Sequence, residues 1–231
     1  MMLPIKKTIL ASLAFIVIHW KKIVEVSIIP LVLASPLLLI LSDLIELSLQ
    51  LINGGIESDI SAPQNTLLYM VLFLYGYALL SINLARMVMQ GGDSVSALDG
   101  VFVISKIIKY IGLTMLVGFA VYFPVMLTGS LPVQLIVYFL IVPLTLNFIN
   151  IALDRPLSFR WSLPFVIHAS LFFMQVLLPT LIALMLSVVV ENLNLSNVVT
   201  LIAQVLIFYW SGINLAFCYR LIVADSSTQN P

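Results

Sequence analysis

Apolar residues fill this chain in blocks too long to be one face of a soluble helix. Six blocks stand out, from about Ile23 to Ile40, Leu67 to Met89, past Lys106 and Lys109 to Leu127, Leu131 to Leu153, Leu163 to Val190 and Val198 to Val223. A helix rises ~1.5 Å per residue, so roughly 20 apolar residues cross a hydrocarbon core of ~30 Å. Each block meets that length. The pattern predicts an all-α polytopic membrane bundle of six transmembrane helices.

A seventh apolar run, Thr8 to Ile18, is shorter. About thirteen helical residues reach only ~20 Å, so this run falls short of a span. Lys6-Lys7 ahead of it imitates the start of a secretory signal, but the run ends in His19-Trp20-Lys21-Lys22 with no small-x-small cleavage site. Lysines on both sides and Trp20 at the boundary predict an N-terminal amphipathic helix lying at the interface. A frayed extension of the first span is the simpler alternative. The chain then divides into an interfacial helix (1–22), a six-helix transmembrane domain (23–224) and a short polar tail (225–231) expected to be disordered.

Composition agrees with this layout. The 231 residues are 62% hydrophobic and 9% charged, where soluble domains run at roughly 45–50% and about 25%. Ten basic and ten acidic residues cancel, so nothing points to nucleic acid as a partner. Their placement is informative. With six spans, Lys6, Lys7, Lys21, Lys22, Arg86, Lys106, Lys109, Arg155, Arg160 and Arg220 fall on one side, and Asp43, Glu46, Glu57, Asp59 and Glu191 on the other. The positive-inside rule makes the first side cytoplasmic, with both termini inside.

The spans read as three hairpins: one with two, three with four, five with six. Pro30, Pro36, Pro124, Pro143 and Pro179 lie inside spans, where neighbouring helices can satisfy the carbonyls they free. Each even span carries a hydroxyl and an asparagine near its basic end: Ser81 with Asn83, Thr145 with Asn147, Ser211 with Asn214. A degenerate triplicated hairpin would produce that recurrence, and so would chance in a small residue alphabet.

Few side chains offer chemistry. His19 and His168 are far apart and Cys218 stands alone, so no metal or cofactor site is expected. No acidic residue sits at mid-membrane depth, which argues against a proton- or sodium-coupled transporter. What remains is a layer of polar residues at one depth: Asn83, Asn147, Asn150, His168, Gln175, Ser211 and Asn214. Asn147 and Asn150 share a face of span four, His168 and Gln175 a face of span five, and Gln204, Ser211, Asn214 and Cys218 a stripe on span six. Such stripes avoid lipid and should point into the bundle. They act either as glue between helices, at ~0.6–2 kcal/mol per hydrogen bond, or as the lining of a cavity for a polar solute or lipid headgroup.

The segments Ser12–Lys22 and Ser94–Lys109, each leading through basic residues into a span, give the chain an architecture that resembles the YciC-type bacterial inner-membrane proteins. It is also similar to the membrane domain attached to some glycerophosphodiester phosphodiesterases. The resemblance implies a protein of the bacterial cytoplasmic membrane with an envelope- or lipid-related role, and it carries over no site residue. The resulting expectation is a non-enzymatic scaffold or partner subunit contacting membrane lipids and other membrane-protein subunits. A small permease or lipid-handling transporter using the polar layer is the alternative, and an intramembrane enzyme the third reading.

Overall fold

Leucine, isoleucine and valine fill the spans, and without water to compete for backbone groups each span closes its own hydrogen bonds as a helix. The computed structural model describes residues 4–52, 63–92, 95–96, 104–159, 163–193 and 197–228, with backbone alone at 48–52, 191, 197–198 and 225–228. Its helices are α1 (Ile5–Ile18), α2 (Trp20–Leu39), α3 (Leu41–Ile52), α4 (Thr66–Gln90), α5 (Ile104–Thr128), α6 (Leu131–Ile141), α7 (Asn147–Ala152), α8 (Phe165–Phe172), α9 (Leu178–Asn192) and α10 (Asn197–Thr228). A 3-10 turn, Val142–Leu146, joins α6 to α7, and a π turn, Phe173–Leu177, joins α8 to α9. Six helical stretches are long and apolar enough to cross a membrane. The loop containing Glu57 and Asp59, and Asp93, Ser94, Arg160 and Trp161, lie outside the described residues.

Consecutive spans pack together: α2 on α4, α5 on α6, α9 on α10. The helix α4 also meets α10 and α7, which places it at the centre. It lies close to α2 because Gly76 has no side chain; a Cβ there would stand 2.5 Å from the Pro30 carbonyl oxygen. The core gathers Leu84 and Met87 from α4, Ile107 from α5, Leu146 and Ile149 around the 3-10 turn, Leu171 and Met174 from span five, and Ile213 from α10. Large apolar side chains elsewhere, such as Leu39, Leu67, Phe119 and Met126, are exposed. That surface suits a lipid solvent, where apolar groups lose nothing by facing out.

Two expectations change. The short N-terminal run is a helix, but it turns its hydroxyls inward. Thr8 and Ser12 are buried, while Leu10, Leu13, Val17 and Ile18 are exposed. The reason is a partner: Trp210 Nε1 of α10 donates to Ser12 Oγ at 2.9 Å, and Phe15 packs edge-on against Phe217. The helix is docked on the bundle as well as apolar toward its surroundings. At the other end, α10 continues to Thr228, so the first four residues of the expected disordered tail are helical. No glycine or proline between Asp225 and Thr228 would stop the helix.

Candidate functional site

Proline explains the most conspicuous polar contact in the bundle. Pro143 has no N–H to give, so the carbonyl of Phe139 one turn earlier loses its helical donor. His168 Nε2 on α8 takes that carbonyl, and its ring stacks on Phe139 at 4.5 Å. The contact requires a proton on Nε2, because a carbonyl oxygen only accepts. His168 therefore repairs the backbone of span four.

Asn147 and Asn150 are also consumed structurally. Asn147 Nδ2 donates to the Ser158 carbonyl at 2.6 Å, and the Ser158 N–H returns a bond to Asn147 Oδ1 at 2.8 Å. Asn150 Nδ2 donates to the same Oδ1 at 3.0 Å. Asn150 Oδ1 in turn accepts from the Tyr219 hydroxyl at 2.6 Å, and Arg155 Nη1 donates to that hydroxyl oxygen at 3.0 Å. The pair clasps the connection after span four and ties it to α10. The shared face read from sequence is real, and its partners are a loop backbone and a tyrosine.

The rest of the layer is different. Asn83 is fully buried, and neither amide atom has a partner among the described residues. Asn214 Nδ2 reaches the Met174 carbonyl only at 3.5 Å, and its Oδ1 has no partner. Gln175 Nε2 is likewise buried, with the Cys218 thiol beside it but no hydrogen bond of normal geometry among the described residues. Burying an unpaired amide costs about 1–3 kcal/mol by mutational measures. Such costs are tolerated where something else satisfies the group.

A cavity of about 200 Å³ lies beside one of these groups, Gln175. Gln175 and Ser211 line it, with Tyr77, Ser81, Tyr110, Tyr138 and Thr145 and apolar side chains such as Val142 and Leu215. Tyr77 and Tyr110 pack edge to face at 6.1 Å, and Ser81, whose hydroxyl donates to the Tyr77 carbonyl at 2.9 Å, lies beside them. Both irregular turns contribute to the wall: Val142 and Thr145 from the 3-10 turn, Gln175 and Val176 from the π turn. Departures of this kind inside spans expose polar groups that a regular helix would bury in its own ladder, and they concentrate at functional sites. The cavity would hold about six waters at ~30 Å³ each, or one small polar group of similar size. Its lining can donate and accept hydrogen bonds to an uncharged or zwitterionic guest.

The structure thus breaks the single expected layer into four parts, one of them the buried and incompletely bonded Asn83 and Asn214. His168 goes to a carbonyl, Asn147 and Asn150 to a loop, and Gln175 and Ser211 to a cavity. His168 and Gln175, seven apart on span five, meet different partners, the Phe139 carbonyl and the cavity wall. Gln204 departs from its stripe: it is exposed and borders a separate apolar groove of about 330 Å³ between α2, α4 and α10. The tyrosines of the cavity wall were missed as site residues. A usable signal existed, since Tyr77 and Ser81 lie four apart on one helix face. No protein-family model matches the chain, and no curated protein or solved structure matches it either.

Proposed function

We propose that this is a non-enzymatic multi-pass protein of the bacterial cytoplasmic membrane whose central cavity admits a small polar solute or the polar end of a lipid. The observation that carries the reading is Gln175. Its Nε2 is buried on the wall of a cavity large enough for a guest, with only the Cys218 thiol beside it among the described residues. Three hairpins with both ends in the cytoplasm form the frame, supported by the pairing of consecutive spans and by the basic residues gathered at one end. A scaffold or partner subunit is the second reading. It is favoured by the bonded half of the polar layer, which joins elements and does nothing more.

Thiol accessibility separates the two. Ser211→Cys in a Cys218→Ser background should react with a small water-soluble thiol reagent added from the side of the basic residues. Mass spectrometry of small molecules released from the denatured protein should then show a species that Gln175→Leu lacks. No labelling from either side, together with identical extracts, would leave the cavity as a closed packing defect and hand the function to the scaffold reading. Orientation is tested in the same background with cysteines at the two ends of α4. Gln90→Cys should label from inside and Gln64→Cys from outside; labelling from one common side sinks the hairpin frame.

A further inference from the structure

A second cleft, of about 400 Å³, opens where α5 begins and the connection after α7 turns back. Lys106, Lys109, Asp154 and Arg155 line it with the apolar Ile151 and Leu157. Three cations against one carboxylate leave a surplus of two positive charges in one concave site. Asp154 pairs with Lys106, but the arrangement is lopsided: the lysine side chain is 16% exposed and the aspartate 68%. A mostly buried lysine therefore relies on a carboxylate that sits largely in solvent, where pairing is weak.

The backbone here is built to a purpose. Asp154 adopts φ 57°, the left-handed region that a non-glycine residue visits at a cost. This turn lets the Arg155 N–H reach the Asn150 carbonyl at 2.8 Å. The Arg155 guanidinium is then fixed twice, by the Tyr219 hydroxyl at 3.0 Å and by the Tyr219 ring 5.9 Å below it. The chain of bonds runs from the buried asparagine pair through Tyr219 to an arginine on the wall of the cleft. An arginine held by a tyrosine and two lysines one helical turn apart match the several acidic oxygens of a phosphate better than a single carboxylate. Near the lining residues in sequence, Ile104 and Ile108 of α5 and Phe159 are exposed apolar groups, along which acyl chains could lie.

From this geometry we propose that the cleft binds a phosphate-bearing anion, with Arg155 and Lys109 as its ligands, Lys106 as a supporting charge and Tyr219 as a positioning residue. Two sources share that chemistry, a phospholipid headgroup and a soluble phosphate. The site is independent of the central cavity, so either proposal can fail alone.

The test uses the full chain in phosphatidylcholine nanodiscs doped with phosphatidylglycerol, with retained lipid counted by native mass spectrometry. The wild type should retain phosphatidylglycerol about tenfold over phosphatidylcholine, equivalent to ~1.4 kcal/mol. Lys109→Gln with Arg155→Gln should abolish the preference, while Lys6→Gln with Lys7→Gln, basic residues on α1, should leave it intact. Lys109 is exposed, so Lys109→Gln alone should leave the fold intact and lower the preference about threefold. Tyr219→Phe keeps the ring under Arg155 and should lower it by a similar factor. Inorganic phosphate that displaces the lipid and raises the unfolding temperature would identify a soluble phosphate as occupant; failure to displace it would identify the headgroup. The proposal is overturned if the α1 variant loses as much preference as the cleft variant. It is equally overturned if neither phosphatidylglycerol nor inorganic phosphate binds.

Discussion

Asn147 and Asn83 are the same residue type, buried to the same degree, on helices that touch. Asn147 has each of its amide atoms bonded, and Asn83 has neither bonded among the described residues. Position in the bundle accounts for the difference. Asn147 begins the last turns of span four, where the chain emerges and folds back, so a loop backbone at Ser158 is within reach. Asn83 lies inside α4 at helical spacing from Gly76 and Leu80, the face pressed on α2. Regular helices facing it have already used their backbone groups. An amide near a chain turn finds a partner in the fold, whereas an amide between two regular helices depends on another side chain or a guest. Identical chemistry therefore serves stability at one site and leaves an unmet demand at the other.

Substitutions can break this comparison, and the largest effect is expected at Asn147. Asn147→Leu strands the Ser158 N–H and carbonyl together with the Asn150 amide, and should destabilise the protein by about 2–4 kcal/mol, read from unfolding in mixed micelles. A loss below about 1 kcal/mol would show that the clasp is ornamental. Next comes His168. His168→Ala orphans the Phe139 carbonyl and should cost about 1–2 kcal/mol. Repeating it in a Pro143→Ala background, where the backbone N–H returns, should recover most of that loss; additive costs in the double-mutant cycle would sink the repair role.

Asn83→Val is expected to have the opposite sign. Removing two unpaired buried polar atoms should raise stability by about 1 kcal/mol. A marked loss instead would mean that a partner or guest normally satisfies Asn83, and the contrast with Asn147 would vanish. The smallest effect belongs to Tyr209→Phe. Its hydroxyl donates to Ser27 Oγ on α2 at 2.6 Å, a bond worth about 0.6 kcal/mol between membrane helices. Thermal unfolding of the detergent-solubilised variant checks that value.

Much of the frame was legible. The apolar block from Leu67 to Met89 became α4, Thr66–Gln90, and the block from Ile23 to Ile40 became Trp20–Leu39, because span length is set by bilayer thickness. The ranking of spans was hidden. Within an 18-residue apolar stretch of each span, 39%, 44% and 39% of residues are buried in the even spans, against 22%, 11% and 11% in the odd ones. Mean hydropathy gives no hint of this, since lipid and a membrane-protein interior are equally apolar. The site was half legible. Gln175 and Ser211 were singled out and do line the cavity, but the fates of Asn83 and Asn147 depend on which backbone lies opposite. The π turn at Phe173–Leu177 carries no sequence mark either. Pro143 was the exception: a missing N–H can be read directly, and the carbonyl it frees lies at Phe139.

The bond between Ser12 and Trp210 joins residues 198 positions apart, and this sets an order of events during synthesis. At about 5–20 residues per second, a ribosome needs roughly 10–40 s to extend the chain from one to the other. During that interval α1 has no tryptophan to dock on, and its two buried hydroxyls have only their own helix for company. Of the helices described, α1 thus comes first in the chain and is fastened to α10 only once that last helix is made. A nascent chain arrested before Trp210 should leave a cysteine at Ser12 open to modification, and release of the complete chain should close it.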